Sequence, residues 1–211
     1  MPEAFRGKTG AGKTTITNLM LKFYKPDSGS ITMDNININD INTENYRKLF
    51  GVILQDPFLF EGTILDNIKF ANENVTGDYI NQKIIDTGLN EILSKLSLDS
   101  EVGERGSNLS EGQRQAISIL RAVINNPEII IMDEATSQLD SINEANIQNA
   151  IYKIMENKTV IIIAHHLNTI MNSDYLFYVK NGKIIEDGEP YTLIKNHGYF
   201  YELYNQNKLM L

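Results

Sequence analysis

The sequence predicts an α/β fold, a mostly parallel sheet with helices between its strands and a helical insertion in the middle. Three observations carry this. Ile129-Ile130-Ile131-Met132 and Val160-Ile161-Ile162-Ile163-Ala164 are strand-length runs without polar alternation, the pattern of strands buried on both faces of a parallel sheet. The segment between them has helical periodicity, with Ile147, Ala150, Ile151 and Ile154 on one stripe. From about residue 62 to 126 the pattern is helical, with no convincing strand.

The elements follow in order. Residues 13–24 read as a helix, with Ile16, Leu19, Met20 and Phe23 at helical spacing. Pro26-Asp27-Ser28-Gly29 stops it, and Ile31-Thr32-Met33 reads as a strand. Ser110 stands where another helix would begin; Ile117, Leu120, Ala122 and Ile124 follow, and Pro127 ends it. Ser141 and Glu144 form a capping box for a helix over about 141–156. Tyr175–Val179 and Lys183–Ile185 flank Asn181-Gly182, a two-residue hairpin signal. A terminal helix closes the chain. Residues 1–211 are expected to form one domain, with a core from 1–61 and 127–211 and a helical subdomain from 62–126. Pro2, Glu3 and Arg6 make a poor buried strand, so a gap or a short, poorly paired strand is expected at Met1–Arg6.

Composition narrows the function classes. A hydrophobic content of 42% with 22% charged residues is that of a globular protein. No apolar run reaches membrane-spanning length, and Met1-Pro2-Glu3 lacks the basic start and apolar stretch of a secretory signal. Without cysteine there is no disulfide and no Cys-based zinc site. A net charge of -8 argues against a nucleic-acid partner, but not against small anions held locally by loops and helix ends.

Gly7-Lys8-Thr9-Gly10-Ala11-Gly12-Lys13-Thr14 fits the phosphate-loop pattern G-x-x-x-x-G-K-[ST]. Glycines let the backbone turn its N–H groups around phosphates, and the following helix presents its positive end. Thr9, Gly10, Ala11, Gly12, Lys13, Thr14 and Thr15 are the candidate ATP-binding residues. Lys13 would reach the β- and γ-phosphates, and the Thr14 hydroxyl would ligate Mg²⁺. The run Ile129–Met132 ends in Asp133-Glu134. Asp133 can hold Mg²⁺ through water while Glu134 faces an attacking water, the pair of functions that metal-assisted phosphoryl transfer requires.

Leu109-Ser110-Glu111-Gly112-Gln113-Arg114-Gln115 resembles the LSGGQ signature of ATP-binding-cassette (ABC) proteins, although Ser110 also suits a plain helix N-cap. The resemblance extends over most of the chain. Gln55-Asp56 resembles the Q-loop, Ser137-Gln138-Leu139-Asp140 the D-loop, and Ile163-Ala164-His165-His166-Leu167 the switch-histidine segment, with His166 read as structural. Phe58-Leu59-Phe60-Glu61-Gly62-Thr63-Ile64-Leu65-Asp66-Asn67-Ile68 and Glu101–Gly106 look like stretches typical of ABC exporters.

The resemblance implies a P-loop NTPase fold with a RecA-like core, and ATP and Mg²⁺ as ligands. Glu134, His165 and Gln55 would be catalytic, and Thr14, Gln55 and Asp133 would hold the metal. Two domains, as homo- or heterodimer, would sandwich two ATP molecules. Ser110, Gly112 and Gln113 of each would complete the partner's site, with Asp140 at the dimer contact. A transmembrane domain would place the assembly at the cytoplasmic face of the cell membrane, where it drives export. Other readings are a soluble ABC-type ATPase acting on ribosomes or DNA, and an inactive remnant. Two departures stand out: Glu111 replaces the first signature glycine, its carboxylate expected to point outward, and Gln138 replaces a small D-loop residue. The family also carries antiparallel strands and an adenine-stacking aromatic ahead of the phosphate loop, which this chain is expected to lack.

Overall fold

A computed structural model of the chain describes residues 2–133, 141–164 and 167–208. They fall into two compact units, Met1–Phe50 with Thr159–Leu211, and Gly51–Lys158. The first unit opens with β1 (Pro2–Arg6), α1 (Lys13–Met20), the short pair β2 (Thr32–Met33) and β3 (Ile36–Asn37), and α2 (Thr43–Arg47). β4 (Phe50–Ile53) leads into the second unit, which continues with α3 (Ile64–Lys69), α4 (Gly77–Thr87), α5 (Asn90–Leu93), α6 (Glu111–Val123), β5 (Ile129–Asp133) and α7 (Ser141–Met155). The first unit resumes with β6 (Thr159–Ile163), α8 (Leu167–Met171), β7 (Tyr175–Lys180), β8 (Lys183–Gly188), α9 (Pro190–Lys195) and α10 (Tyr199–Lys208).

In the first unit the strand order is β6-β1-β7-β8. β1 runs parallel to both its neighbours, and β8 returns antiparallel to β7. This overturns the expectation of a poorly paired segment at Met1–Arg6, because β1 is an interior strand bonded on both edges. Ala4 lies between Ile162 and Leu176, and Phe5 stacks on Phe177 with ring centroids 4.9 Å apart. Pro2 occupies the first position, where a missing N–H is tolerated. Glu3 and Arg6 are only half-buried, so the polar residues that discouraged a strand are not asked to be dry. The Asn181-Gly182 turn forms as expected, with both residues at positive φ, 51° and 73°. A second such turn, Asp34-Asn35 at φ 49° and 65°, joins β2 to β3.

α1 departs from its expected length and face. It ends at Met20, its fully buried side chains are Lys13 and Thr17 rather than the Ile16–Phe23 stripe, and Phe23 is 58% exposed. The stop comes from α2. The Tyr46 hydroxyl donates to the Met20 carbonyl at 2.8 Å, and the Arg47 guanidinium donates to the carbonyls of Leu21 and Lys22 at 3.0 Å each. These donors satisfy carbonyls that a longer helix would have used.

In the second unit β4 neighbours β5. Every α6 residue from Gln115 to Leu120 is buried. The stripe Ile147, Ala150, Ile151 and Ile154 of α7 is buried as expected, each large aliphatic contributing roughly 1.5–3 kcal/mol. The side chain of Ser141, half of the expected capping box, lies outside the described residues.

Candidate functional site

The phosphate loop sits between β1 and α1 in the first unit. Its shape depends on two glycines. A Cβ on Gly7 would run into the Val179 carbonyl oxygen on β7. Gly12, the residue before α1, sits at φ 107°, where side chains are disfavoured. As a result α1 begins without a side-chain cap and without an acidic residue in its first turn. The N-terminal N–H groups of α1 and its positive end suit an anion. Lys13 is only 6% exposed, and its ammonium folds back onto the loop and donates to the carbonyls of Gly7 at 2.7 Å and Lys8 at 3.2 Å. A cation thus sits inside the curl of the loop beside the uncapped helix end, a donor set that suits polyphosphate.

The β7–β8 turn buttresses this loop. The Gly182 amide donates to the Ala11 carbonyl at 2.9 Å, and Gly182 lies close under Gly12. The sequence marked Asn181-Gly182 only as a turn, and no local signal links it to a loop so distant in the chain. A cleft of about 430 Å³ flanks the loop, lined by Lys8, Thr9, Gly10, Lys180, Tyr199 and Glu202 among others.

Thr9–Thr15 therefore stand together in the first unit, with the Thr14 side chain exposed. Gln55, Ser110, Gly112, Gln113 and Asp133 belong to the second. Asp133 is the half-buried last residue of β5, and Gln55 is exposed just beyond β4. The hydroxyl of Thr14 and the carboxylate of Asp133 are hard oxygen donors of the kind Mg²⁺ takes beside phosphate oxygens. Glu134, Asp140 and His165 lie outside the described residues.

Ser110 is the N-cap of α6 and forms a full capping box: its hydroxyl accepts from the Gln113 amide at 3.3 Å, and Gln113 Oε1 accepts from the Ser110 amide at 2.9 Å. Gly112 is buried and Glu111 half-buried in the same first turn. From mid-helix, Gln115 donates to the Leu54 carbonyl at 3.2 Å, tying α6 to the segment that carries Gln55.

The two exporter-like stretches are joined by backbone bonds. The Val102 amide donates to the Gly62 carbonyl at 2.9 Å, and the Ile64 amide donates to the Ser100 carbonyl at 3.1 Å. Asn67, almost fully buried, exchanges bonds with both backbone groups of Phe60 at 2.9 Å. Arg121, its pKa lowered by burial, donates to the Phe58 carbonyl at 2.8 Å. The loop so fixed carries an exposed aromatic cluster in which Phe58 meets Phe60 at 5.2 Å and Phe60 meets Phe70 at 4.5 Å.

A glycine loop between a parallel strand and an uncapped helix, ending in a buried lysine and a threonine, defines a P-loop nucleotide-binding protein. The family model described as ABC transporter matches residues 3–137, and the chain belongs to the ABC transporter family as its nucleotide-binding domain. It is 41% identical to the uncharacterized ABC transporter ATP-binding protein YfiC of Bacillus subtilis (strain 168), over 95% of this chain and 34% of YfiC. It is 42% identical to the beta-(1→2)glucan export ATP-binding/permease protein NdvA of Bartonella bacilliformis, over 99% of this chain and 35% of that protein. A solved bacterial Atm1-family ABC exporter with ATP bound superposes with a TM-score of 0.87 at 32% identity, covering 98% of this chain and 37% of the exporter chain. The chain thus spans about a third of the length of these relatives. Among its described residues no helix is long and apolar enough to cross a membrane.

Proposed function

We propose that this chain is the ATP-binding and ATP-hydrolysing motor domain of an exporter, with a core from residues 1–61 and 127–211 and a helical subdomain from 62–126. The observation that carries the reading is the uncapped start of α1 with the Lys13 ammonium held at the Gly7 and Lys8 carbonyls. The loop amides of Thr9–Thr15 bind the phosphates, and Lys13 exchanges its carbonyl partners for phosphate oxygens. Thr14, Asp133 and Gln55 hold Mg²⁺, which when bound neutralises the phosphate charge. Glu134 orients the attacking water and takes its proton, and His165 contacts the γ-phosphate. Ser110, Gly112 and Gln113 present the α6 N-terminus to the nucleotide of a second such domain, with Asp140 at their contact.

The aromatic cluster at Phe58, Phe60 and Phe70 is the surface offered to a transmembrane partner. Contiguous exposed apolar surface of this kind marks interaction sites, and the loop that carries Phe58 and Phe60 is bonded to the Glu101–Gly106 stretch through Gly62 and Val102. The proposed location is the cytoplasmic face of a membrane, and the proposed partners include no nucleic acid. The test is Mg²⁺-dependent phosphate release from ATP, with light scattering of Glu134→Gln with and without ATP. Turnover by the parent and an ATP-dependent doubling of mass are expected. Absence of both would overturn the reading.

A further inference from the structure

Arg6 ends β1 one residue before the phosphate loop, and the sequence discounted it as misplaced charge. Its Nη1 donates to the Ala164 carbonyl at 3.1 Å. The Ala164 amide donates to the Phe5 carbonyl at 3.1 Å. Both backbone polar groups of Ala164 are therefore held by consecutive residues of β1, one through backbone and one through a side chain. Regular pairing of β1 with β6 ends one residue earlier, at Phe5 opposite Ile163. Ala164 is 1% exposed, so its carbonyl has no access to water and needs a protein donor. A charged guanidinium donor makes that bond stronger than a neutral group would. On the other side of Arg6, the Gly7 carbonyl receives the Lys13 ammonium at 2.7 Å. Lys13, Gly7, Arg6 and Ala164 thus form a continuous connection from the phosphate-binding cation to the residue preceding His165.

We propose that Arg6 is a positioning residue: it fixes the direction in which the chain leaves β6, and so sets where residue 165 meets the γ-phosphate. This rests on the proposed role of His165. Arg6→Met keeps the aliphatic stem and removes the donors. Arg6→Lys restores one cationic donor. The readouts are kcat and KM for ATP, melting temperature, and hydrogen exchange of the backbone amides from residue 160 to 170 without nucleotide. In Arg6→Met, kcat is expected to fall between about tenfold and a hundredfold, the scale of a misplaced catalytic group, with KM within about twofold. Exchange should rise across this segment, and Arg6→Lys should recover part of both. In a His165→Ala background Arg6→Met should lower kcat no further, because the two act through one contact.

A raised KM with unchanged kcat would make Arg6 a substrate contact and overturn the proposal. So would full additivity with His165→Ala, or unchanged exchange. If Arg6→Met does not fold, the parent and Arg6→Lys carry the same comparison with a smaller loss of the same pattern. Lack of turnover in the parent would refute the motor reading instead, and exchange would then decide alone whether Arg6 fixes the segment.

Discussion

The helices α1 and α6 begin in opposite ways. At the start of α1 there is no side-chain cap and no carboxylate, and the residue before it is a glycine at positive φ. At the start of α6, Ser110 and Gln113 cap one another and Glu111 adds a charge to the first turn. Every helix leaves its first N–H groups unpaired. α6 meets that need from its own sequence, whereas α1 has no side-chain cap and forgoes about 1 kcal/mol of capping. An uncapped helix end following a glycine loop is therefore the stronger mark of a binding site. The capped one binds a second party only by giving up or sharing bonds it already has.

Chemistry should be separable from both helix ends. Glu134→Gln is expected to lower turnover at least about a hundredfold while nucleotide titration gives near-parental affinity. Parental turnover would remove Glu134 as the base. Lys13→Ala acts on the α1 side of the comparison. Removing a hydrogen-bonding charge worth about 1.5–3 kcal/mol should weaken ATP binding tenfold or more, and an unchanged affinity would deny α1 its role.

Stability measurements sharpen the contrast further. Gly7→Ala drives a methyl into the Val179 carbonyl. It should destabilise by about 1–3 kcal/mol, lowering the melting temperature by roughly 2–4 °C for each kcal/mol. Ser110→Ala removes the α6 cap and should lose about 1 kcal/mol, seen in the same melts. A melt as stable as the parent's would mean the box does nothing for α6. Smallest of all, Glu111→Gln removes a first-turn charge worth about 0.3–1 kcal/mol and should leave turnover within twofold. A rise of about fivefold would instead set this carboxylate against a partner's triphosphate, since like-charge repulsion there is on the order of 1 kcal/mol.

Much of this architecture is legible in the sequence wherever the signal is local. The apolar runs of β5 and β6, the Asn181-Gly182 turn and the phosphate loop each announce themselves within a few residues. What escapes is decided at a distance. The end of α1 is set by Tyr46 and Arg47, side chains of another helix. The burial of β1 is set by β6 and β7, which tolerate Glu3 and Arg6 at half-buried positions. The loop's support from Gly182 is a tertiary contact without a sequence pattern. Within the candidate site, Thr9–Thr15 could be named from one motif. Gln55, Ser110 and Asp133 needed the family resemblance or a second motif in the same chain.

The interior position of β1 also has a consequence for biosynthesis. Arg6 and Ala164 stand 158 residues apart, yet β1 cannot be paired until β6 and β7 exist. At translation rates of about 5–20 residues per second, the strand that carries the phosphate loop waits roughly 8–30 s after leaving the ribosome exit for its neighbours. During that interval both of its edges are open to other chains. A nascent chain halted before Tyr175 would display a phosphate loop with no floor beneath it, and handling by chaperones should be heaviest in that window.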